Sequence, residues 1–404
     1  MHTALPPELL ATSLGQEANN ILRSCVHCGF CIATCPTYQV LGNELDSPRG
    51  RIYLIKEMLE GGEATAVTQL HLDRCLTCQS CETTCPSGVN YHRLLDIGRA
   101  EVEQRLKRPL LQRVLRRAMR LVMPHRNRFT PLLRLGQYFK PVLPQLVTRH
   151  IPAYKPASAW PTSLCTRKVI LFEGCVQPGI SPNTNAATAR VLEKLGIACI
   201  RAPDEACCGA LSYHASAQKE GLDFARQNID AWWPYVEQGV EAIVSTASGC
   251  GNFLRGYQRL LRDDPSYAAK ARKIDELVKD ISEVLAAEDL SQLELKESTS
   301  VAFHCPCTLQ HGLSLKSTTQ QVLLTLGFVL PTIKDDHLCC GSAGTYSIFN
   351  ADISNDLLRR KLEALEESNP DIIITANIGC QTHLAAGAGK PVKHWIEQVD
   401  ELLR

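Results

Sequence analysis

"CVHCGFCIATCP", residues 25–36, and "CLTCQSCETTCP", residues 75–86, each place four cysteines and a closing proline in twelve residues. Thiols at that density serve a zinc site, a disulfide knot, a redox dithiol or an iron–sulfur cluster. Structural zinc takes separated ligand pairs in a tetrahedral set, not a three-cysteine run that occurs twice. No basic stretch followed by an apolar one opens the chain, and no run approaches a membrane span. The expectation is a cytosolic chain whose thiols stay reduced, which disfavours disulfides. A total of nineteen cysteines, an odd number, fits a disulfide framework poorly as well.

C-x2-C-x2-C-x3-C-P is the run by which bacterial-type ferredoxins hold [4Fe–4S] clusters. Three thiolates at i, i+3 and i+6 on a tight loop reach three corners of one cube. The fourth, followed by Pro, leaves the loop and serves the other cube. Cluster I is therefore expected on Cys25, Cys28, Cys31 and Cys85, and cluster II on Cys75, Cys78, Cys81 and Cys35. Such clusters are one-electron carriers whose potentials follow burial and hydrogen bonds to sulfur.

The elements that must position these thiols are duplicated too. "VLEKLGI" followed by "CCGA" reappears as "VLLTLGF" followed by "CCGS", and Cys175 precedes Cys207 by the same interval that separates Cys307 from Cys339. Each copy closes on a strand-like run and a cysteine, Cys250 or Cys380. Helical periodicity marks "RGRIYLIKEMLEGG" and "HRLLDIGRAEVEQRL" around the first motifs. Beyond them, short runs ("KVILF", "IACI", "AIVST", "SVAFH", "DIIITA") alternate with helical stretches ("NAATARVLEKLG", "ISNDLLRRKLEALEE", "VKHWIEQVDELLR"), the pattern of parallel α/β layers. The fold class is α plus α/β multidomain. A helical ferredoxin-like domain is expected over 1–103, a basic connector and linker over 104–163, and two repeated α/β domains over 164–298 and 299–404.

Charge is concentrated in the connector. Between Gln104 and Phe172 there are fifteen Lys or Arg and no Asp or Glu, while the other residues carry 28 basic and 42 acidic groups. "RLKRPLLQRVLRRAMRLVMPHRNR" puts Leu111, Val114, Leu115, Ala118 and Val122 on one helical stripe, with Arg113, Arg116, Arg117 and Arg120 away from it. "FTPLLRLGQYF" and "PVLPQLV" add apolar segments suited to shallow docking. An anionic membrane face, a partner subunit or the chain's own solvated surface would each suit such a helix. Nucleic acid is not expected, because no reading motif accompanies the charge.

"CVHCGFCIATCPTYQVLGNELDSPRGRIYLIKEMLEG", "RCLTCQSCETTCPSGVNYHRLLDIGR", "EGCVQPGISPNTNAATARVLEKLGI", "TASGCGNF", "HCPCTLQH" and "CCGSAGTY" together resemble the iron–sulfur subunits of bacterial glycolate oxidase (glycolate dehydrogenase). The likeness runs nearly end to end. It implies membership of the wider CCG (cysteine-rich) domain group, which includes heterodisulfide reductase, lactate-utilisation and anaerobic glycerol-3-phosphate dehydrogenase subunits. It further implies an enzyme subunit that carries electrons rather than the site of glycolate oxidation. FAD would reside on two flavoprotein partner subunits that oxidise glycolate to glyoxylate. Electrons would pass toward a membrane quinone, with the chain peripheral on the cytoplasmic face of the inner membrane. The residues agree with that division, since no G-x-G-x-x-G follows a strand and neither G-x-S-x-G nor H-E-x-x-H occurs. Equivalent subunits for lactate or glycerol 3-phosphate, or a heterodisulfide-reducing subunit, are the alternatives.

The CCG pattern is a cysteine, then Cys-Cys-Gly, then a closing C-x-x-C. Here the copies offer Cys175, Cys207, Cys208 and Cys250, and Cys307, Cys339, Cys340 and Cys380 with Cys305 nearby. The closing positions are Phe253 and His383, so a five-thiolate assembly is in doubt. Four thiolates would still hold a further cluster. The other reading is that these are buried, inert thiols on loops. Gly after the vicinal pair permits the backbone conformation that exposes both sulfurs. No histidine is assigned as a ligand, and Cys165 and Cys199 stand outside both patterns.

Overall fold

A computed structural model describes residues 1–142, 144, 151–162, 165–296 and 300–403. Most of the "PVLPQLV" segment and the boundaries expected at 163–164 and 298–299 lie outside the described residues. The chain forms two compact units, Met1–Val114 with Asp335–Lys361, and Leu115–Lys334 with Leu362–Arg404.

The first unit is helical. It contains α1 (Ser13–Ser24), α2 (Pro48–Leu59), α3 (Ala66–Asp73) and α4 (Tyr91–Arg105). Sequence punctuation explains the start of α2: Pro48 occupies the first turn and the Ser47 hydroxyl accepts from the Gly50 N–H at 3.1 Å. Leu22, Ile55, Leu59, Leu94 and Leu95 form its core. Gly98 on α4 lets α2 come close, since a Cβ there would lie 2.6 Å from Ile55 Cγ1.

The connector forms α5 (Leu110–Val122) and α6 (Arg126–Phe139). In α5 the apolar stripe faces outward: Leu111 is 78% exposed, and Leu110, Val114 and Leu115 are exposed with it. Further along, Met119 is buried and Arg120 pairs with Glu220 at 3.3 Å. Leaving leucine and valine of one stripe to water is the reverse of a helix packed on its own core. Leu132, Leu135, Tyr138 and Phe139 of α6 are exposed as well. Arg126, at the start of α6, anchors it by bonds to the Glu173 carboxylate and the Gly174 carbonyl, both 2.9 Å.

The second unit carries two parallel sheets. The first is ordered β2-β1-β3-β4, built from β1 (Arg167–Phe172), β2 (Ile197–Ile200), β3 (Ile243–Ser245) and β4 (Val278–Asp280). The second is β5 (Val301–His304), β6 (Ile372–Thr375) and β7 (Val392–His394) in that order. "VKHWIEQVDELLR" reads as one helix, but its first three residues form strand β7. Neither β7 nor β4 shows in the sequence, because three residues preceding a helix are too few for a period of two. Among the described residues no strand beside β5 corresponds to β2, so the two copies share a plan but not a strand count.

Strand periodicity decides the layers. Val169, Leu171 and Val244 face a core shared with Val301, Phe303, Ile372 and Ile374 of the second sheet. Ile170, Phe172 and Ile243 face a separate core with Phe224, Ile229 and Trp232 of the helix Gln218–Glu237. Both faces of the first sheet are thus covered, as parallel sheets require. Buried polar contacts register the copies: Ser181 donates to Glu397 at 2.8 Å, and His394 Nε2 donates to the Thr246 carbonyl at 2.7 Å.

Burial holds the His394 pKa down at about 4 against the ordinary 6.5, overriding its hydrogen bond to Thr246. A base depressed in the folded state leaves stability intact above pH 6.5 and removes it as pH falls toward 4. The expected loss is about 3 kcal/mol. Asp280, pushed up to about 6 by burial, works in the opposite direction, losing stability as pH rises from 3.8 toward 6. Thermal unfolding of His394→Gln against the parent between about pH 7.5 and 4 isolates the histidine. The variant's acid-side decline should be the shallower.

Candidate metal centres

The two N-terminal motifs fold alike. In each, the residues two and four places after the first cysteine adopt positive φ: His27 at 57° and Gly29 at 86°, Thr77 at 56° and Gln79 at 62°. Only one of those four is glycine, so the loops hold backbone strain, a property of ligand-binding turns. The short helices Phe30–Ala33 and Ser80–Thr83 then present Cys31 and Cys81.

One cavity is lined by Cys25, Cys28, Cys31 and Cys85, together with Cys81, Arg49, Ile52 and Tyr91. Cys28 is exposed, whereas Cys25 is buried. Burial pushes the Cys31 thiol up to about 11, against an opposing hydrogen bond from the Arg49 backbone at the start of α2. In the second loop, burial pushes Cys81 well above the usual thiol range, and Cys78, Cys75 and Cys35 lie close enough to add to the effect. The Thr77 N–H points at Cys75 Sγ at 3.4 Å. No disulfide joins the described cysteines. Four thiols around each center, N–H groups aimed at sulfur, and the buried Ser80 hydroxyl with no hydrogen-bond partner fit an iron–sulfur group.

Charge around the second loop is arranged by residues that motif reading missed. Asp46, fully buried, meets Arg51 Nη2 at 3.4 Å, His71 Nδ1 at 2.9 Å and Arg74 Nη1 at 3.1 Å. Arg51 also donates to the Thr37 hydroxyl at 3.1 Å, which lies 3.3 Å from Cys35 Sγ. Arg99 donates to the carbonyl of Cys75 at 2.8 Å. The available signal was Arg51 itself, a charge on the same helical stripe as the buried Ile55 and Met58.

In the first CCG copy, Cys175 follows β1, Cys207 and Cys208 follow β2, and Cys250 follows β3. These are the carboxyl ends of three adjacent strands, at the point where the strand order reverses. The four thiols lie close enough to act on one another's ionisation, Cys175 with Cys207, Cys207 with Cys208 and Cys208 with Cys250. Cys175 is driven well above the ordinary thiol range by the neighbouring Cys207 and by burial. Asn228 and Tyr257 hold the backbone, donating to the carbonyls of Cys207 at 2.9 Å and Cys208 at 2.7 Å. Phe253, at the closing position, packs among the rings of Tyr213, His214 and Tyr257.

The second copy divides between the units. Cys305, Cys307 and Cys380 belong to the second unit, Cys305 within its shared core. Cys339 and Cys340, both buried, belong to the first. There, Tyr346 has its phenol pushed up by burial and by the nearby Cys75 and Cys339. The Cys-Cys-Gly turn is the same in both copies. Gly209 and Gly341 have φ of +95° and +92°. Their N–H groups donate to Cys207 Sγ at 3.5 Å and Cys339 Sγ at 3.4 Å. Outside the patterns, Cys199 is raised to about 12 by burial and then by Cys165.

The comparisons agree with this geometry. Residues 21–89 match the 4Fe-4S dicluster domain, and residues 169–255 and 301–385 each match the cysteine-rich domain, CCG. Fold and sites therefore define an iron–sulfur protein, a dicluster domain joined to a duplicated CCG domain. The chain is 54% identical to the glycolate oxidase iron-sulfur subunit of Escherichia coli (strain K12), over 100% of this chain and 99% of the relative. It is 33% identical to the probable glycolate oxidase iron-sulfur subunit of Bacillus subtilis (strain 168), covering 91% and 89%. The chain belongs to the family of glycolate oxidase iron–sulfur subunits. Lactate utilization protein A of Bacillus subtilis (strain 168) is 28% identical over 56% of this chain and 94% of its own length. A crystal structure of a hypothetical protein from Helicobacter pylori shares the fold at TM-score 0.51 and 12% identity, covering 97% of this chain and 72% of that one.

A Cβ on Gly209 would stand 2.5 Å from the Gly221 carbonyl oxygen in addition to its left-handed strain. Gly209→Ala should cost roughly 2–4 kcal/mol. Gly42→Ala, also at positive φ but with nothing within 4 Å, should cost about 1 kcal/mol. Thermal or denaturant unfolding of the two variants checks the difference.

Proposed function

We propose that the chain relays electrons from FAD-bearing flavoprotein subunits, which oxidise glycolate to glyoxylate, toward a membrane quinone. The observation that carries this reading is the 54% identity, over 100% of this chain and 99% of the relative, to a glycolate oxidase iron-sulfur subunit. Cys25, Cys28, Cys31 and Cys85 hold one [4Fe–4S] cluster, and Cys75, Cys78, Cys81 and Cys35 the other. When bound, such clusters supply reversible one-electron transfer. The chain's residues contribute thiolates, N–H donors to sulfur and a desolvated setting. Exposed Val26 and Phe30 flank Cys28 and suit a flavoprotein docking beside the first site. In the first CCG copy, Cys175, Cys207, Cys208 and Cys250 provide four thiolates for a further cluster.

Membrane contact is assigned to α5 and α6. No helix among the described residues is long and apolar enough to cross a bilayer. The outward apolar stripe, flanking arginines and exposed Tyr138 suit shallow docking on an anionic cytoplasmic leaflet. The second reading, a lactate-oxidising complex, is favoured by the likeness to lactate utilization protein A over about half the chain.

Iron and sulfide analysis of anaerobic protein should give about eight irons for the two N-terminal clusters alone, or about twelve with a CCG cluster. Cys28→Ser and Cys78→Ser should each remove one EPR signal and stop electron flow in the assembled complex. A co-purifying flavoprotein that oxidises lactate but not glycolate would reassign the substrate. Sedimentation with phosphatidylglycerol vesicles should exceed that with phosphatidylcholine, decline with salt, and weaken in Leu111→Asp/Leu115→Asp.

A further inference from the structure

We propose that two arginines two residues apart, Arg49 and Arg51 of α2, bias the two N-terminal clusters unequally, and that buried Arg51 makes the Cys35/Cys75 cluster the one reduced first. The proposal rests on the cluster assignment above. It adds an order of electron residence that the cysteine spacing does not contain.

The geometry separates the two side chains. Arg49 lines the cavity of Cys25, Cys28, Cys31 and Cys85, and its Nη1 lies 3.2 Å from where a Cβ on Gly29 would be. Its guanidinium is bound at 2.6 Å to Glu44, and the two side chains are 36% and 43% exposed. A neutral pair wetted to that degree projects little field onto the cavity. Arg51 turns to the other side of the helix and is 1% exposed. Its Nη2 reaches the Thr37 hydroxyl at 3.1 Å, and that oxygen is 3.3 Å from Cys35 Sγ. Cys35 and Cys75 both lie within its electrostatic reach.

Net charge decides the sign. One buried carboxylate, Asp46, is shared by two guanidiniums, Arg51 at 3.4 Å and Arg74 at 3.1 Å. One positive charge is therefore left over, and Arg99 adds another at the Cys75 carbonyl. Glu82, the acidic group beside Cys81, accepts from the His92 backbone N–H at 2.5 Å and offsets one of these two charges, which leaves one. Reduction adds one electron to a thiolate-bound cluster, so a desolvated cation stabilises the reduced form and raises its potential. The same cation with water around it does so far less. Electrons arriving at the Cys28 side would then come to rest at the Cys35/Cys75 side.

Redox titration of the full-length anaerobic protein, followed by EPR, tests this. The parent should show one one-electron midpoint for each N-terminal cluster, identified by its loss in Cys28→Ser or Cys78→Ser. Arg51→Gln should lower only the higher midpoint, Arg51→Lys should largely restore it, and Arg49→Gln should leave it in place. If Arg51→Gln fails to take up about eight irons, Thr37→Val, which removes the hydroxyl between Arg51 and Cys35 without opening the core, should lower the same midpoint. A shift of the lower midpoint by either substitution, or of neither, overturns the inference while leaving the clusters assigned. A parent without iron, sulfide and two EPR signals overturns the cluster assignment and the inference with it.

Discussion

A buried carboxylate organises the N-terminal unit. Asp46 has no exposed surface and is reached by Arg51 from α2, His71 from α3 and Arg74 just beyond it. A charge so placed is tolerated only when every lone pair is engaged. Meeting that condition fixes three chain segments at once: the turn after Cys35, the start of α2 and the approach to Cys75. The cysteines of two motifs fifty residues apart are thereby held in one unit. The helices carry little of this specificity themselves, since their cores of Leu and Ile would tolerate small shifts that the ion network does not.

The CCG domains solve a related problem by a different route. Parallel strands end in loops, and the loops after β1, β2 and β3 bring cysteines distant in sequence to one edge of the sheet. A sheet buried on both faces is stiff enough to hold them there. The vicinal turn is set by glycine, and the agreement between Gly209 and Gly341 in φ and in sulfur contact indicates one local solution used twice. What differs is the surroundings. The first copy has a four-stranded sheet and rings packed around Phe253, and the second has three strands among the described residues.

Much of this was legible in the sequence because it depends on local chemistry. Thiol spacing, proline after the last cysteine and the internal repeats gave the dicluster unit and the paired α/β layers. Helix α2 and strands β1, β2, β3, β5 and β6 followed from period and composition. β4 and β7 did not, being three residues long and fused to the helices after them. Nor did the Asp46 network, which joins residues whose spacing has no period. Folding also brings Asp335–Lys361 into the N-terminal unit, and no pattern within that segment announces it.

The orientation of α5 has a consequence for how the polypeptide lives before it is assembled. A seam of leucine and valine turned toward water is tolerable only briefly, because any similar seam on another copy is an equally good match. Arginines along its margins slow that encounter by mutual repulsion. Protein with that seam uncovered is thus prone to clumping, more so as its concentration rises.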